Sequence, residues 1–322
     1  MTTTTAQPTD APLRRHHAIV EGELVLPGGR PSVHGKVTRK PRKRKKENAK
    51  KRRGKKQSPF TAETADKYEL YQYSVQSPDE DVEFLMRVYE EIRGREPRHM
   101  REDFCGTALL CSTWIQQGPE FTAEGFDIDP EPIVWGLERN FAPIGEAGSR
   151  CRLHVKDVRE PSRRGPDVRC GHNFSYCCFK QRSELLAYFR AAYQDLAPGG
   201  LFSIDIHGGP ESMHEMEEVR EIEEGFDYVW DQDKYWPATG EYECHIGFRF
   251  EDGSEMRAFS YKWRLWTLPE LKDLLLEAGF AQVDSYWEGT DPEDEEAGDG
   301  DFQKDDKGEN CLSWIAYLIA QK

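Results

Sequence analysis

The chain has 322 residues, enough for one large domain with additions or two small ones. Its formal charge is −15, spread very unevenly: residues 36–56 hold 14 Lys/Arg against a single acid, while residues 1–35 balance to zero, so residues 57–322 carry about −28. A body that acidic is excluded from binding nucleic acid by charge alone, no apolar run of about 18 residues is present to span a membrane, and the Thr-rich start lacks the apolar segment of a secretory signal.

Residues 1–57 are rich in Thr, Pro, Gly, Lys and Arg and poor in large apolar side chains, so this tail is expected to be disordered. Its basic block, 36–56, reads either as a contact for RNA or another polyanion or as a solvated, solubilising segment. The eight cysteines form no CxxC pair and no zinc spacing. They read as small buried hydrophobes in a reducing, cytoplasmic setting, and no metal site is expected.

Order is expected from about residue 58. Asp66–Tyr73 is aromatic at nearly every other position, and Ser77-Pro78-Asp79-Glu80 reads as a capping box opening a helix. Its apolar stripe runs through Val82, Phe84, Leu85, Val88, Tyr89 and Ile92 to Gly94. Short strands and helices then alternate. A first strand, poor in apolar residues, ends near Asp103, and a helix covers 108–117. A second strand spans 121–126 with a helix over 130–140. The third and fourth strands span 152–155 and 168–174. A helix spans 183–196, and a fifth strand spans 201–206. This rhythm predicts a largely parallel sheet covered on both faces. Region 208–264 breaks it, with an acidic helix expected over 211–224 and antiparallel strands over 228–236, 242–250 and 255–266, the last two joined at Asp252-Gly253. A helix from the Thr267 cap to Gly279, a strand over 281–287, a solvated acidic loop over 288–310 and a strand over 312–320 complete the chain.

The candidate site begins at Arg101-Glu-Asp-Phe-Cys-Gly-Thr-Ala108, a tight turn into a helix, followed by Gly125-Phe-Asp127 at the end of the second strand. An acid about 20 residues beyond such a turn is where a nucleoside-binding βαβ unit holds a ribose. That spacing serves both dinucleotides and S-adenosylmethionine. Together with an acid after the third strand (Asp157), Leu196-Ala-Pro-Gly-Gly-Leu201 and Leu265-Trp-Thr-Leu-Pro-Glu270 through Gly279-Phe280, it resembles the class I S-adenosylmethionine-dependent methyltransferases over about residues 66–322. The resemblance implies a Rossmann-like seven-stranded, mostly parallel sheet whose last strand is antiparallel, here with an inserted antiparallel β cap at 208–264. The family's turn reads acid-x-Gly-x-Gly-x-Gly. In this chain Phe104 and Ala108 replace two of the glycines and Gly106 keeps the third, which argues against close approach to a pyrophosphate.

By the resemblance, Glu102 sits near the cofactor's amino group and Phe104, Cys105 and Gly106 form the turn under it. Asp127 and Ile128 bind the ribose and adenosine, Asp157 and Val158 face the adenine, and Asn173 is a further cofactor-binding residue. Asp127 could instead cap the next helix, a place that Asp129 and Pro130 already fill. Asn173-x-x-Tyr176 has the outline of the Asn-Pro-Pro-Tyr motif without its prolines, and Tyr176 is expected to close over the methyl group or the acceptor. His207 is placed to be a general base or, alternatively, to brace the Gly208-Gly209 turn. Tyr73, Trp230, Tyr235, Trp263 and Trp266 read as an acceptor pocket with cation–π potential or as the insertion's own core. The implied activity is methyl transfer to a small molecule, at N or O. The alternatives are an RNA or ribosomal-protein methyltransferase recruited by the basic tail, and a non-catalytic binding protein that retains the fold. The residues leave the oligomeric state open.

Overall fold

The computed structural model describes residues 60–291 and 294–322, together with two short strands, Ile19–Val20 (β1) and Glu23–Leu24 (β2). Those strands lie within the segment expected to be disordered. The basic block 36–56 lies outside the described residues.

Two helices open the described body. Asp66 caps α1 (Lys67–Val75) by accepting from the N–H groups of Tyr68 and Glu69. In α2 (Pro78–Arg93), Pro78 takes the first turn and Gly94 ends the helix at φ 68°, but the Ser77 side chain makes no capping bond, so the expected box is absent. The sheet then builds from β3 (His99–Asp103), β4 (Thr122–Asp127), β5 (Cys151–Val155), β6 (Val168–Gly171) and β7 (Leu201–Gly208). Between them run α3 (Leu109–Ile115), α4 (Pro130–Gly136) with a π turn over Leu137–Phe141, and α5 (Arg182–Asp195).

The insertion contributes β8 (Met216–Ile222), β9 (Phe226–Trp236), β10 (Glu241–Phe250) and β11 (Glu255–Arg264), a separate antiparallel sheet in the order β11-β10-β9-β8. The Thr267–Glu270 capping box opens α6 (Leu268–Ala278), and β12 (Gln282–Asp291), β13 (Asp294–Lys304) and β14 (Trp314–Gln321) end the chain.

The main sheet runs β1-β2-β5-β4-β3-β6-β7-β14-β12-β13. Strands β5, β4, β3, β6 and β7 are parallel, and β14 is antiparallel to both β7 and β12. This is the expected mostly parallel sheet with an antiparallel last strand, widened by β13 on one edge and the β1–β2 hairpin on the other. Helices α2, α3 and α4 cover one face around Leu85, Tyr89, Trp114, Ile133 and Met100. Helices α5 and α6 cover the other around Phe189, Phe202, Leu271 and Leu275.

Two expectations are corrected. Residues 211–224 do not form a helix: only Pro210–Met213 make a 3₁₀ turn, and Met216–Ile222 pair with β9, Glu218 opposite Trp230 and Arg220 opposite Tyr228. Glutamates favour helix by local propensity, yet the turn closed by Gly225 (φ 98°) sets this segment against β9, and cross-strand pairing overrides propensity. The acidic loop 288–310 is in part a strand. Residues of β13 pair with β12, Trp287 opposite Gln303 and Glu288 opposite Phe302, while Phe302 packs its ring on Phe84 and Tyr317.

One close approach places the site. A Cβ at Gly136 would lie 2.1 Å from the Thr107 carbonyl oxygen, so α4 can reach the turn at 104–108 only because position 136 has no side chain. Asn140, one turn on, donates to the same carbonyl at 2.9 Å. Gly136→Ala is expected to destabilise the fold by about 1–3 kcal/mol through this clash with backbone, read as a lower urea midpoint, and to weaken cofactor binding at the turn. An unchanged midpoint would show that α4 can shift freely.

Candidate active site

The turn after β3 keeps its backbone shape despite its composition. Phe104, Gly106 and Ala108 all adopt left-handed φ (55°, 51° and 52°), so the three positions where glycine is expected keep glycine's conformation in two residues that have side chains. Such a conformation costs an L-residue about 1–2 kcal/mol. Packing holds it: Ala108 is fully buried, and the Phe104 ring meets Tyr188 at 5.6 Å and Phe179 at 6.0 Å, pointing into the α5 core and away from the turn's open side. Above Gly106 nothing lies within 4 Å of where a Cβ would stand.

Asp127 ends β4 and ties the strand to the turn, accepting from Gly106 N–H at 2.8 Å through one oxygen and from Asp129 N–H at 2.9 Å through the other. Each oxygen retains a lone pair for a further donor. Asp129, not Asp127, caps α4. Burial raises the Asp127 pKa, opposed by those backbone N–H groups. Ile128 beside it is 74% exposed, a large apolar side chain open to solvent just past the strand end. Glu102 lies buried under the turn and accepts from Cys111 N–H at 3.1 Å; burial pushes its pKa up to about 8 against that bond. Cys105 is buried, its backbone bonded to Phe126.

The loop after β5 carries Asp157 and Val158. Arg159 grips Asp157 with both arms of its guanidinium at 2.9 and 2.5 Å, which holds that carboxyl below its usual range. The Val158 carbonyl is held from beneath by Arg101 and Arg169, each at 2.6 Å. These two arginines are fully buried, side by side on β3 and β6, and share Asp103 at 2.7 Å each and Asp195 at 3.1 Å each. Tyr188 adds a 2.8 Å bond to Asp103. Neither arginine was singled out from the sequence. The one signal was a central strand, His99–Asp103, with almost no apolar residues.

At the carboxyl ends of β6 and β7 the chain narrows onto a cavity of about 250 Å³. Strand β6 stops at Gly171, short of the expected residue 174, because Asn173 and Phe174 turn to φ 58° and 57° and give their N–H groups to the Asp205 carboxylate at 2.7 and 2.9 Å. Burial raises Asp205 to about 6, opposed by His172 and those N–H groups. Asn173, Phe174 and His207 line the cavity floor. His207 bonds through Nε2 to the Tyr242 hydroxyl at 3.1 Å, its ring lies 4.7 Å from Phe174, and burial lowers its pKa to about 4, so it is neutral at pH 7.

The cap supplies Tyr228, Trp230, Ile246, Tyr261 and Trp263, and α1 supplies Tyr71. Helix α1 straps cap to turn: Tyr71 packs on Phe259 of the cap at 5.3 Å, while Gln72 donates to Thr107 at 2.8 Å, Tyr68 to Glu131 at 2.9 Å, and Trp135 to Asp66 at 2.7 Å. Of the five expected acceptor residues, Trp230 and Trp263 line the cavity. Tyr235 packs at the edge of the neighbouring core. Trp266 is buried under Arg264, 3.7 Å from its ring, and Tyr73 is exposed and turned to Glu69. Tyr176 is buried and spends its hydroxyl on the Asp205 carbonyl at 2.8 Å, away from the cavity. Glu211, Glu218 and Arg220 line the cavity and were missed, because the segment that carries them was read as a helix. Among the described residues no group of three or more His, Cys, Asp or Glu is placed to hold a metal, and no helix is long and apolar enough to cross a membrane.

No family model and no curated protein matches the sequence. Solved structures do match the fold. An S-adenosylmethionine-dependent methyltransferase from Clostridium acetobutylicum superposes with a TM-score of 0.58 at 16% identity, over 79% of this chain and 96% of that one. The chain has the class I methyltransferase fold. CalS10, an amino pentose methyltransferase from Micromonospora echinaspora solved with S-adenosylmethionine, gives 0.58 at 16% identity over 80% and 97% of the two chains. KedS8, a sugar N-methyltransferase from Streptoalloteichus, gives 0.53 at 18% identity over 79% and 92%. Within that fold the Asp127-to-turn bond and the clamped Val158 carbonyl occupy the ends of β4 and β5, where the crevice of an open α/β sheet takes its ligand.

Removing one guanidinium from the buried cluster strands a carboxylate. Arg169→Met is expected to cost about 3–5 kcal/mol of stability by urea titration, and Arg169→Lys to recover little, since an ammonium lacks the fork to reach Asp103, Asp195 and the Val158 carbonyl together.

Proposed function

We propose that this protein is an S-adenosylmethionine-dependent methyltransferase that methylates an amino nitrogen of a small molecule held between the main sheet and the 208–264 cap. The observation that carries this reading is the cavity itself. It opens at the carboxyl ends of β6 and β7, is walled by Tyr71, Tyr228, Trp230, Tyr261 and Trp263, and is lined by Glu211 and Glu218, which form no ion pair among the described residues. Aromatic faces and carboxylates together attract an ammonium.

The residues around the turn fit the cofactor. Asp127 has spare lone pairs for two ribose hydroxyls, exposed Ile128 offers apolar surface to an adenine, and the space over Gly106 is open. When bound, S-adenosylmethionine supplies a methyl group already activated by a sulfonium. The protein's own task is then alignment, exclusion of water and handling of one proton. An amine reacts through its lone pair. The aromatic walls favour its neutral form by desolvation, and neutral His207 on the floor can accept a hydrogen bond from the nitrogen and hold it in line. With a pKa near 4, His207 orients the acceptor better than it stores the proton, which leaves through the carboxylates or solvent. In this reading residues 58–322 form the catalytic unit, with the β1–β2 hairpin added at the β5 edge of its sheet.

The full chain should bind S-adenosylmethionine in calorimetry, and Asp127→Ala should weaken binding about 100-fold through loss of two charged hydrogen bonds. With methyl-labelled cofactor, 2-phenylethylamine or glucosamine should become labelled on nitrogen. Labelling only on oxygen across a panel of amino alcohols would overturn the amine reading.

Glu102 yields a separate signature. Its free-state pKa of about 8 leaves it mostly protonated at pH 7, and a cationic ligand beside it favours the ionised form. Cofactor binding at pH 7 should therefore release a proton, seen as a binding heat that varies with buffer ionisation enthalpy, and affinity should rise with pH up to about 8. Glu102→Gln should abolish both effects. Buffer-independent heat in the unmodified protein would remove Glu102 from the cofactor's charged end.

A further inference from the structure

The cavity is polarised along its length. Gln232 on β9 donates to the Glu211 carbonyl at one end, while Tyr228, four residues back on the same strand and on the same face, stands opposite Arg220 at the other. Four strand residues span about 13 Å. Between them Glu218 stands opposite Trp230. The acids therefore occupy the end and middle of the cavity, and its one lining arginine occupies the end next to α1.

Among the described residues Arg220 forms no ion pair. One of its N–H groups goes to the Ser74 carbonyl on α1, and its guanidinium lies 5.3 Å over the Tyr228 ring. The remaining donors of the five are left for a ligand, backed by an aromatic face that orients the plane. A structural strut between cap and α1 would need a single donor and no charge. A planar fork held on a ring at the rim of a cavity, with no carboxylate on it, suits a carboxylate or a phosphate.

We propose that the acceptor carries an anionic oxygen group several bonds from its amine, and that Arg220 binds that group, with the amine directed toward Glu211 and His207. The proposal rests on reading this cavity as the acceptor site. It ranks simple monoamines such as 2-phenylethylamine as accepted but weaker acceptors, since a molecule with the amine alone leaves Arg220 without an anion at the cavity's far end.

The test needs no methyl transfer. Phenylacetate, phenyl phosphate and neutral 2-phenylethanol are titrated into the full chain by calorimetry and by the fluorescence of the cavity tryptophans, for the unmodified protein, Arg220→Gln and Arg220→Lys. Since all three proteins have the same basic tail, its anion binding cancels in the comparison. At least one anion should bind about tenfold or more tighter than the alcohol. Arg220→Gln should erase that preference while leaving alcohol binding and the urea midpoint unchanged, and Arg220→Lys should restore part of it. The stronger of phenylacetate and phenyl phosphate identifies the oxygen group. Equal binding of anions and alcohol, no anion binding at millimolar concentration, or a preference that survives Arg220→Gln would overturn the proposal. Methylation of 2-phenylethylamine alongside any of these results would leave the amine reading standing, so the two fail separately.

Discussion

The site depends on a charge cluster buried beneath it. Arg101 and Arg169 lie in register on neighbouring central strands and share Asp103 and Asp195, so two positive and two negative groups close on each other with no exposure of either guanidinium. Their remaining donors go up into the loop after β5, to the carbonyls of Val158 and Glu160. No helix connects β5 to β6: residues 156–167 cross as turns and bends, and the carbonyls of Val158 and Glu160 accept from the arginines beneath. Charged strand residues and a helix-free crossover are thus one device. The arginines need carbonyls above them, and the loop needs donors below it. A buried network of this kind adds little net stability over an apolar core, but it specifies one arrangement, because each group left unpaired costs several kcal/mol. What it specifies here is the position of Asp157 and Val158.

The turn at 104–108 shows the same economy in backbone form. Two residues with side chains hold left-handed φ there, an unfavourable choice that persists because the surroundings determine it more strongly than local preference does. The Phe104 ring is anchored among Phe179 and Tyr188, the Gly106 N–H is bound to Asp127, and Gly136 lets α4 close on Thr107. Replacing glycines in such a turn therefore need not change its path. The side chains leave on the core side, and the open side above Gly106 stays clear.

Much of this was legible in the sequence. The alternation of strands and helices gave the parallel sheet; of the candidate residues, Asp127 lies at the turn after β3, and His207, Trp230 and Trp263 line the cavity, with their roles left to the proposal. The failures have physical causes. The segment 211–224 is rich in residues that favour helix, and only its pairing with β9 makes it a strand; with it went Glu211, Glu218 and Arg220, half of the cavity's chemistry. Strand β13 has a single large aromatic, Phe302, to announce it, and its partners Phe84 and Tyr317 are distant in sequence. Tyr176 and Trp266 have the residue types of a pocket but the burial of a core, a distinction that side-chain direction decides and composition does not. The arginine pair was visible only as an absence of apolar residues in β3, because what makes a buried charge tolerable is its partners on β6 and α5.

The cavity's electrostatics set two demands against each other. On the proposed amine reading, the carboxylates lining the cavity would draw an ammonium in from water, yet displacement at the methyl carbon would require the neutral amine. Position separates the two demands. Glu218 is exposed on an edge strand, where solvent screens it and it could act on an approaching cation, whereas His207 sits half-buried on the floor, where desolvation disfavours its charged form down to about pH 4. An environment that keeps imidazole neutral will also lower the pKa of an amine placed against it. The gradient from rim to floor can therefore strip the proton as the acceptor descends, and no strong base is needed at the bottom. Helix α1 makes that gradient depend on the cofactor side, since the strap that closes the cavity at Tyr71 is the one bonded to Thr107 in the turn and to Glu131 on α4. An occupied turn would brace that strap, so the acceptor would meet a dry floor only when there is a methyl group to receive.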